Sequence, residues 1–254
     1  MINLTKREQS FSCCKISEKE SGRLFCFPHA GAGATVYALW GRYMPENVSL
    51  YPVLYPAREQ RRNETFPEKL TDLARNIAAE NKDAFCEKPF VLYGHCEGGI
   101  IAYETAVLLK ELYGVSPKLL VVSGANPPDV QTSELIKEDM TMEEAAKVFA
   151  EYGFLNKEFA VNKMYMDCFV PILVKDFLLL QNYCDKEHKK LDCPILLMYG
   201  SDDLNIDRKK IHGWKGYTFA DCREKEFNGG HFFITTDNIE SVISSMCSCF
   251  SDNI

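Results

Sequence analysis

The sequence predicts an α/β protein, with a mostly parallel central sheet flanked by helices and a further helical segment inserted late in the chain. Short apolar runs alternate with longer stretches of helical periodicity, the signature of strands joined by helical crossovers. Glycine-rich turns follow two of the apolar runs, at His29-Ala-Gly-Ala-Gly33 and at Gly94 to Gly99. The regular alternation stops after Asn126-Pro-Pro128 and does not resume until about Pro194.

Arg23-Leu-Phe-Cys-Phe-Pro28 reads as the first strand, with a short helix near Tyr37 to Arg42 after the glycine turn. Val48 to Leu54 reads as the second strand. From Pro67 to Phe85 apolar residues recur at helical spacing (Leu70, Leu73, Ile77, Ala78), and Pro67 suits a first helical turn. Phe90 to Tyr93 is the next strand, Glu97 to Leu112 a long helix, and Leu119 to Ser123 another strand. The charged stretch that follows reads as helical around Thr141 to Tyr152. Lys163 to Tyr183 is helical with an irregularity expected at Pro171. Pro194 to Tyr199 and Glu224 to Phe227 read as the last two strands, and Ile239 to Phe250 as a closing helix. Nothing resembles a linker, so residues 1–254 are expected to form one domain, with about 130–165 as an inserted helical lid.

The bulk properties exclude several classes. A formal charge of -7 disfavours nucleic acid as a general partner, because duplex binding rests on phosphate neutralisation by Lys and Arg. Arg58, Arg61 and Arg62 form the best local basic patch, which could meet a phosphate or an acidic helix, with surface solvation or a buried structural pair the standing alternatives. No uncharged apolar stretch approaches the roughly 20 residues of a membrane helix, and Met1 to Ser21 has no apolar run suited to a signal peptide. The 11 cysteines are odd in number, and Cys26, Cys193 and Cys222 lie in or near apolar segments. A reducing, cytoplasmic setting and a monomeric chain are expected. No metal motif appears, and no bound cofactor is expected.

Chemistry concentrates at Gly94-His95-Cys96-Glu97-Gly98-Gly99, which lies between a buried strand and a long helix. A nucleophile at such an elbow needs glycines two before and two after it, where side chains would strike the neighbouring strand and helix. The helix N-terminus then points at the sulfur and stabilises negative charge there. Tyr199-Gly200-Ser201-Asp202-Asp203 follows a late strand, where an acid belongs. His231 lies in the loop before the final helix, 28 residues beyond Asp203. The chain order of nucleophile, acid and base is that of α/β-hydrolases. Cys96, His231 and Asp203 are therefore the expected catalytic residues, with Asp202 the alternative acid. Backbone N–H groups of Ala30 and Glu97 are the expected oxyanion donors. A dinucleotide loop at Gly31-x-Gly33 is the rival reading, but its third position would be Val36 rather than Gly or Ala.

Phe27-Pro28-His29-Ala30-Gly31-Ala-Gly33 resembles the stand-alone type II thioesterases of nonribosomal peptide and polyketide synthesis, an α/β-hydrolase group. So do Tyr55-Pro56-Ala57-Arg58 with Arg61, the Cys96 elbow, and Gly229-Gly230-His231-Phe232-Phe233. The resemblance spans about Arg23 to Phe250. It implies hydrolysis of acyl or peptidyl groups from the phosphopantetheine arm of an acyl or peptidyl carrier protein. The chain departs from the family pattern in three ways: Cys96 stands where Ser is usual, Ala57 where Gly is usual, and Glu97 where an apolar residue is more common. Glu97 could point to solvent or bear on the neighbouring thiol.

Cysteine alters the chemistry. Transfer from pantetheine sulfur to Cys96 sulfur exchanges one thioester for another, and the acyl-enzyme keeps its activation towards amines. Thioester hydrolysis or acyl transfer is therefore expected. An amide-forming or macrocyclising release enzyme is one alternative, and a non-catalytic binding protein of hydrolase shape is another.

Overall fold

Five apolar runs and one polar edge segment become strands, the five because their neighbours in space are apolar on both faces. In the computed structural model, which describes residues 10–12, 14–130, 134–155, 162–235 and 237–250, these are β1 (Gly22–Phe27), β2 (Val48–Pro52), β3 (Phe90–His95), β4 (Leu119–Ser123), β5 (Ile195–Gly200) and β6 (Cys222–Phe227). Residues 1–9 of the N-terminal segment, and 131–133 and 156–161 of the expected lid, lie outside the described residues. The sheet runs β2-β1-β3-β4-β5-β6, and every pairing is parallel.

Side chains alternate across this sheet as the strand period demands. Phe25, Phe27, Leu92, Leu120 and Leu197 enter one core cluster, while Leu24, Cys26, Val91, Tyr93, Val121 and Met198 enter the other. Helices α1 (Leu70–Glu80) and α3 (Glu97–Tyr113) contribute to the first cluster. A 3₁₀ segment (Ala34–Arg42) and α7 (Ile239–Cys247) contribute to the second. Parallel strands covered on both faces read as continuous apolar runs, which is why β1, β3, β4 and β5 were legible. β6 is the exposed edge, and its Arg223, Glu224, Lys225 and Glu226 keep it polar.

Two boundaries differ from expectation for local reasons. The helix expected over 67–85 begins at Leu70 and breaks at Asn81, whose side-chain amide donates to the Ile77 carbonyl and separates α1 from α2 (Lys82–Cys86). The helix expected from Lys163 divides at Phe169 into α5 (Lys163–Cys168) and α6 (Val170–Gln181). Pro171 occupies the first turn of α6, where its missing N–H has no partner to lose.

Between β4 and β5 lie α4 (Met142–Glu151), α5 and α6, with a small core of their own around Ala146, Phe149, Leu173 and Phe177. A reciprocal capping box starts α4: Thr141 accepts from the Glu144 amide, and Glu144 accepts from the Thr141 amide. Among the described residues no helix is long and apolar enough to cross a membrane.

The chain order also fixes where a site can form. From β1 the chain steps outward to β2, then returns across β1 to β3, so the connections diverge at the carboxyl ends of β1 and β3. Such a divergence leaves a crevice that open α/β sheets use for ligands.

Phe85 anchors an aromatic cluster with Phe25 and Phe90, the first residue of β3. It is fully buried, with ring centroids 4.4 Å from Phe25 and 5.6 Å from Phe90. Phe85→Ala is expected to lower unfolding free energy by about 3–5 kcal/mol. Urea denaturation reads this directly, and a loss below about 1 kcal/mol would show that the cluster refills the space.

Candidate active site

Three pairs of backbone segments meet at the carboxyl edge of the sheet with no room for a side chain. A Cβ on Gly94 would run into the Gly98 carbonyl, and one on Gly98 into the carbonyls of Phe27 and Pro28. One on Gly200 would run into the carbonyls of Gly229 and Gly230. The first two contacts press the end of β3, the start of α3 and the loop after β1 together. The third presses the loop after β5 against the loop that carries His231.

Cys96 sits at the turn between β3 and α3 with φ 54° and ψ -124°, a conformation costly for any L-residue. The surroundings hold it there: its N–H donates to the Ser123 carbonyl at 2.8 Å, and its carbonyl accepts from Gly99 at 3.0 Å. The side chain is 8% exposed and lines a cavity of about 340 Å³. Ile100, Leu135, Phe154, Phe177 and Leu180 give that cavity an apolar wall, while Asn126, Asn205, Asp207 and Lys210 supply polar groups.

His231 lines the same cavity and is buried. Its Nδ1 lies 2.8 Å from Oδ2 of Asp203, which is itself buried and accepts the Asn205 N–H through Oδ1 at 2.9 Å. Asp202, the other acid considered, is exposed and accepts from the Ser201 hydroxyl at 3.1 Å. The 28-residue gap between acid and histidine is closed by Ser201 N–H to Phe227 O at 2.7 Å and Asp202 N–H to Gly229 O at 2.9 Å.

Burial disfavours the imidazolium, yet the Asp203 hydrogen bond and the interaction with Cys96 outweigh it and raise the His231 pKa to about 10. His231 Nε2 is buried and has no hydrogen-bond partner among the described residues. Two other histidines crowd the ring. His95 lies 4.8 Å from His231 centroid to centroid, and His29 lies 5.9 Å from His95. Burial pushes His29 down to about 4, with the His231 and Arg58 charges adding to the effect and a hydrogen bond to the Ala30 carbonyl opposing it. Burial, then repulsion from His231 and His29, pushes His95 well below the usual range. Of three adjacent imidazoles, only the one paired with a carboxylate has its charged form favoured.

Ala30 and Glu97, the expected oxyanion donors, come from the two segments that Gly98 brings into contact. Among the described residues neither N–H is engaged by a protein acceptor, which leaves both able to donate. The Glu97 side chain does not point to solvent. It is fully buried and both carboxylate oxygens are unpartnered. Burial raises its pKa well above the carboxylate range, and the Asp176 charge adds to this, against a smaller opposing effect of Arg58.

Of the readings of the basic segment, Arg58 takes the buried structural pair. Arg58 is buried in a two-pronged ion pair with Asp176, and Arg61 is engaged by Glu64 and Glu80. The extended conformation of Arg58, and the positive φ of the residues on either side of it, turn this side chain inward. Sequence reasoning missed Asp176, although an acid within Val170-Pro-Ile-Leu-Val-Lys-Asp-Phe-Leu-Leu-Leu was a visible signal for a buried partner. It also missed Phe154, whose ring meets His231 edge to face at 5.4 Å.

A parallel sheet in this order, with a cysteine elbow, a paired histidine and a cavity at the strand ends, is the architecture of an α/β-hydrolase-fold enzyme. The Thioesterase domain model matches residues 22–248, and the chain belongs to that family. It is a thioester hydrolase. The human S-acyl fatty acid synthase thioesterase, medium chain (Homo sapiens), is 27% identical over 245 residues, covering 95% of this chain and 91% of that one. The gramicidin S biosynthesis protein GrsT of Aneurinibacillus migulanus is 28% identical over 230 residues, covering 89% and 87%. The structure of RedJ, a thioesterase from the prodiginine biosynthetic pathway in Streptomyces coelicolor, has the same fold (TM-score 0.83, 23% identity, 92% and 90% coverage).

Asp203→Asn should lower the His231 pKa from about 10, because it removes the carboxylate that favours the imidazolium. NMR titration of the imidazole reads the shift, and Asp202→Asn should leave it unchanged. The folded-state pKa lies above the 6.5 of a free histidine, so the linked stability is fully present below about pH 6.5 and is lost as pH rises through about 10. The stability deficit of Asp203→Asn should therefore be greatest at the acid end of that window. Equal titration of the two variants would separate His231 from Asp203.

Proposed function

We propose that this thioesterase cleaves acyl or peptidyl thioesters borne on the phosphopantetheine arm of a carrier protein, in nonribosomal peptide or polyketide synthesis, through an acyl-Cys96 intermediate. One observation carries the reading: His231, hydrogen-bonded to Asp203, shares with Cys96 the floor of an apolar-walled cavity at the strand ends. The named role of the GrsT relative supports the pathway class. The apolar wall supports an acyl chain as the bound group, and α4 to α6 act as a lid over it.

In acylation, the Cys96 sulfur attacks the thioester carbon while His231 holds the proton. The carbonyl electrons move onto oxygen, which accepts from the N–H groups of Ala30 and Glu97. Collapse re-forms the carbonyl and breaks the bond to the pantetheine sulfur, which leaves with the proton held by His231. The product is an acyl thioester on Cys96 and a free pantetheine thiol. His231, now neutral, takes a proton from water as the water oxygen attacks. The second tetrahedral intermediate expels the Cys96 sulfur, and His231 keeps the proton.

Acylation changes the base as well as the substrate. Cys96 is among the groups that hold His231 protonated, and once acylated it carries no charge. The His231 pKa must then fall, which makes the ring a competent base for the water step. Asp203 holds the ring through Nδ1 and leaves Nε2 for the transfers.

Intact-mass spectrometry with acyl-pantetheine thioesters and with acyl-loaded carrier protein tests the reading. A transient acyl adduct should appear on the wild type and vanish in Cys96→Ala, with thioester turnover reduced at least about 1,000-fold. Cys96→Ala retaining full turnover would remove Cys96 from the chemistry. Release faster with amines than with water would identify an acyltransferase.

A further inference from the structure

A buried ion pair joins α6 to the loop that carries Ala30. Asp176 lies in the middle of α6, is 1% exposed, and accepts three hydrogen bonds. Its Oδ2 takes the Gly31 N–H at 2.7 Å and Arg58 Nη1 at 2.8 Å, and its Oδ1 takes Arg58 Nη2 at 2.7 Å. Arg58 Nη1 also donates to the Ala32 carbonyl at 2.9 Å. The two residues directly after Ala30 are thus held by their own backbone groups, one through an N–H and one through a C=O. Gly31 has φ +76°, and a Cβ there would press on Phe169 and Leu173 of the same inter-strand segment.

Stability alone does not account for this pair. Desolvating two charges costs several kcal/mol per ion, and apolar side chains of similar volume commonly stabilise a core as well or better. What apolar residues could not do is fix two backbone polar groups beside Ala30. An oxyanion donor acts through its alignment before the charge develops, so a loop free to move by a fraction of an ångström would lose most of its effect.

We propose that Arg58 and Asp176 are positioning residues that align the Ala30 N–H with the oxyanion, and that Asp176 makes this alignment depend on the position of α6. The inference rests on Cys96 as nucleophile, and it does not require the substrate to be carrier-bound. Glu97 fits the arrangement. Asp176 already neutralises Arg58, so the neighbouring Glu97 carboxyl stays neutral and leaves the pair undisturbed.

The test compares two reactions of the Cys96 sulfur. A 1,1,1-trifluoro-2-alkanone adds the thiolate at its carbonyl carbon, and the carbonyl electrons become an oxyanion that needs the hole. Iodoacetamide is displaced at an sp³ carbon by the same thiolate, releases iodide, and needs no hole. Asp176→Asn keeps the side-chain volume. Arg58→Met with Asp176→Leu removes both charges, so that no buried charge is left alone. In each variant the ketone adduct, followed by fluorine NMR, should weaken about 10- to 100-fold relative to wild type. Alkylation of Cys96, read by peptide mass spectrometry, should stay within about twofold. Unchanged ketone affinity in the double variant would overturn the proposal. So would a parallel fall of both reactions, which marks general loss of the site. A wild type that forms the ketone adduct but ignores acyl-carrier thioesters would refute the carrier reading and leave this inference standing.

Discussion

Backbone packed against backbone is the constraint on which the site depends. Gly94, Gly98 and Gly200 each occupy a place where a Cβ would fall on a carbonyl of another segment. These contacts set the spacing between the end of β3, the loop after β1, and the loops that hold Asp203 and His231. Cys96 is then left at a turn with a backbone conformation it would not choose, held by its hydrogen bond to Ser123. The strain is local, and the sheet on either side of β3 opposes its relaxation, because β1 pairs with Phe90 to Gly94 and β4 with Val91 to His95. A Cys96 side chain that cannot swing away is the consequence.

Electrostatics at the site follow from how few charges are admitted. His95 is as buried as His231 and His29 is half-buried, but both lack a carboxylate, and desolvation disfavours their charged forms. Glu97 lies near Arg58, but that guanidinium is already engaged by Asp176, so its carboxyl stays protonated. The proton is thereby directed to His231 beside Asp203, while Arg58 and Asp176 close on each other as an ion pair. A second free charge beside the sulfur would compete for the His231 proton, and the structure holds none among the described residues of the elbow.

Much of this was legible in the sequence, for a physical reason. Strands buried on both faces must be continuously apolar, and backbone crossings must be glycine, so β1, β3, β4, β5 and the Cys96 elbow left local marks. The order Cys96, Asp203, His231 was equally readable, since it follows from which strand ends carry the loops. Geometry decided between Asp202 and Asp203: the former is exposed and the latter buried against the ring. What was not legible depended on contacts across long separations. Arg58 read as part of a basic patch because its partner lies 118 residues away, in a helix whose packing no local pattern reveals. Glu97 gave no sign of its burial, because the position is polar by composition and enclosed only by the fold. The helix break at Asn81 was missed because it lies inside a stretch of unbroken periodicity, whereas the irregularity expected at Pro171 falls at Phe169, just before it.

Helix α6 connects the two halves of the problem. Asp176 reaches the loop beside Ala30, while the next residue, Phe177, forms part of the apolar cavity wall. Phe154, which contacts both Phe177 and His231, brings the same wall against the base. A group seated against this wall therefore presses on elements that also align the oxyanion donor and the imidazole. Binding energy from the remote part of the substrate can then be expressed in the transition state rather than in the ground state. On the proposed roles of Cys96, Ala30 and Asp176, the identity of the acyl group governs kcat as much as KM, because a chain that fits the wall poorly also leaves α6, and with it Asp176, poorly placed.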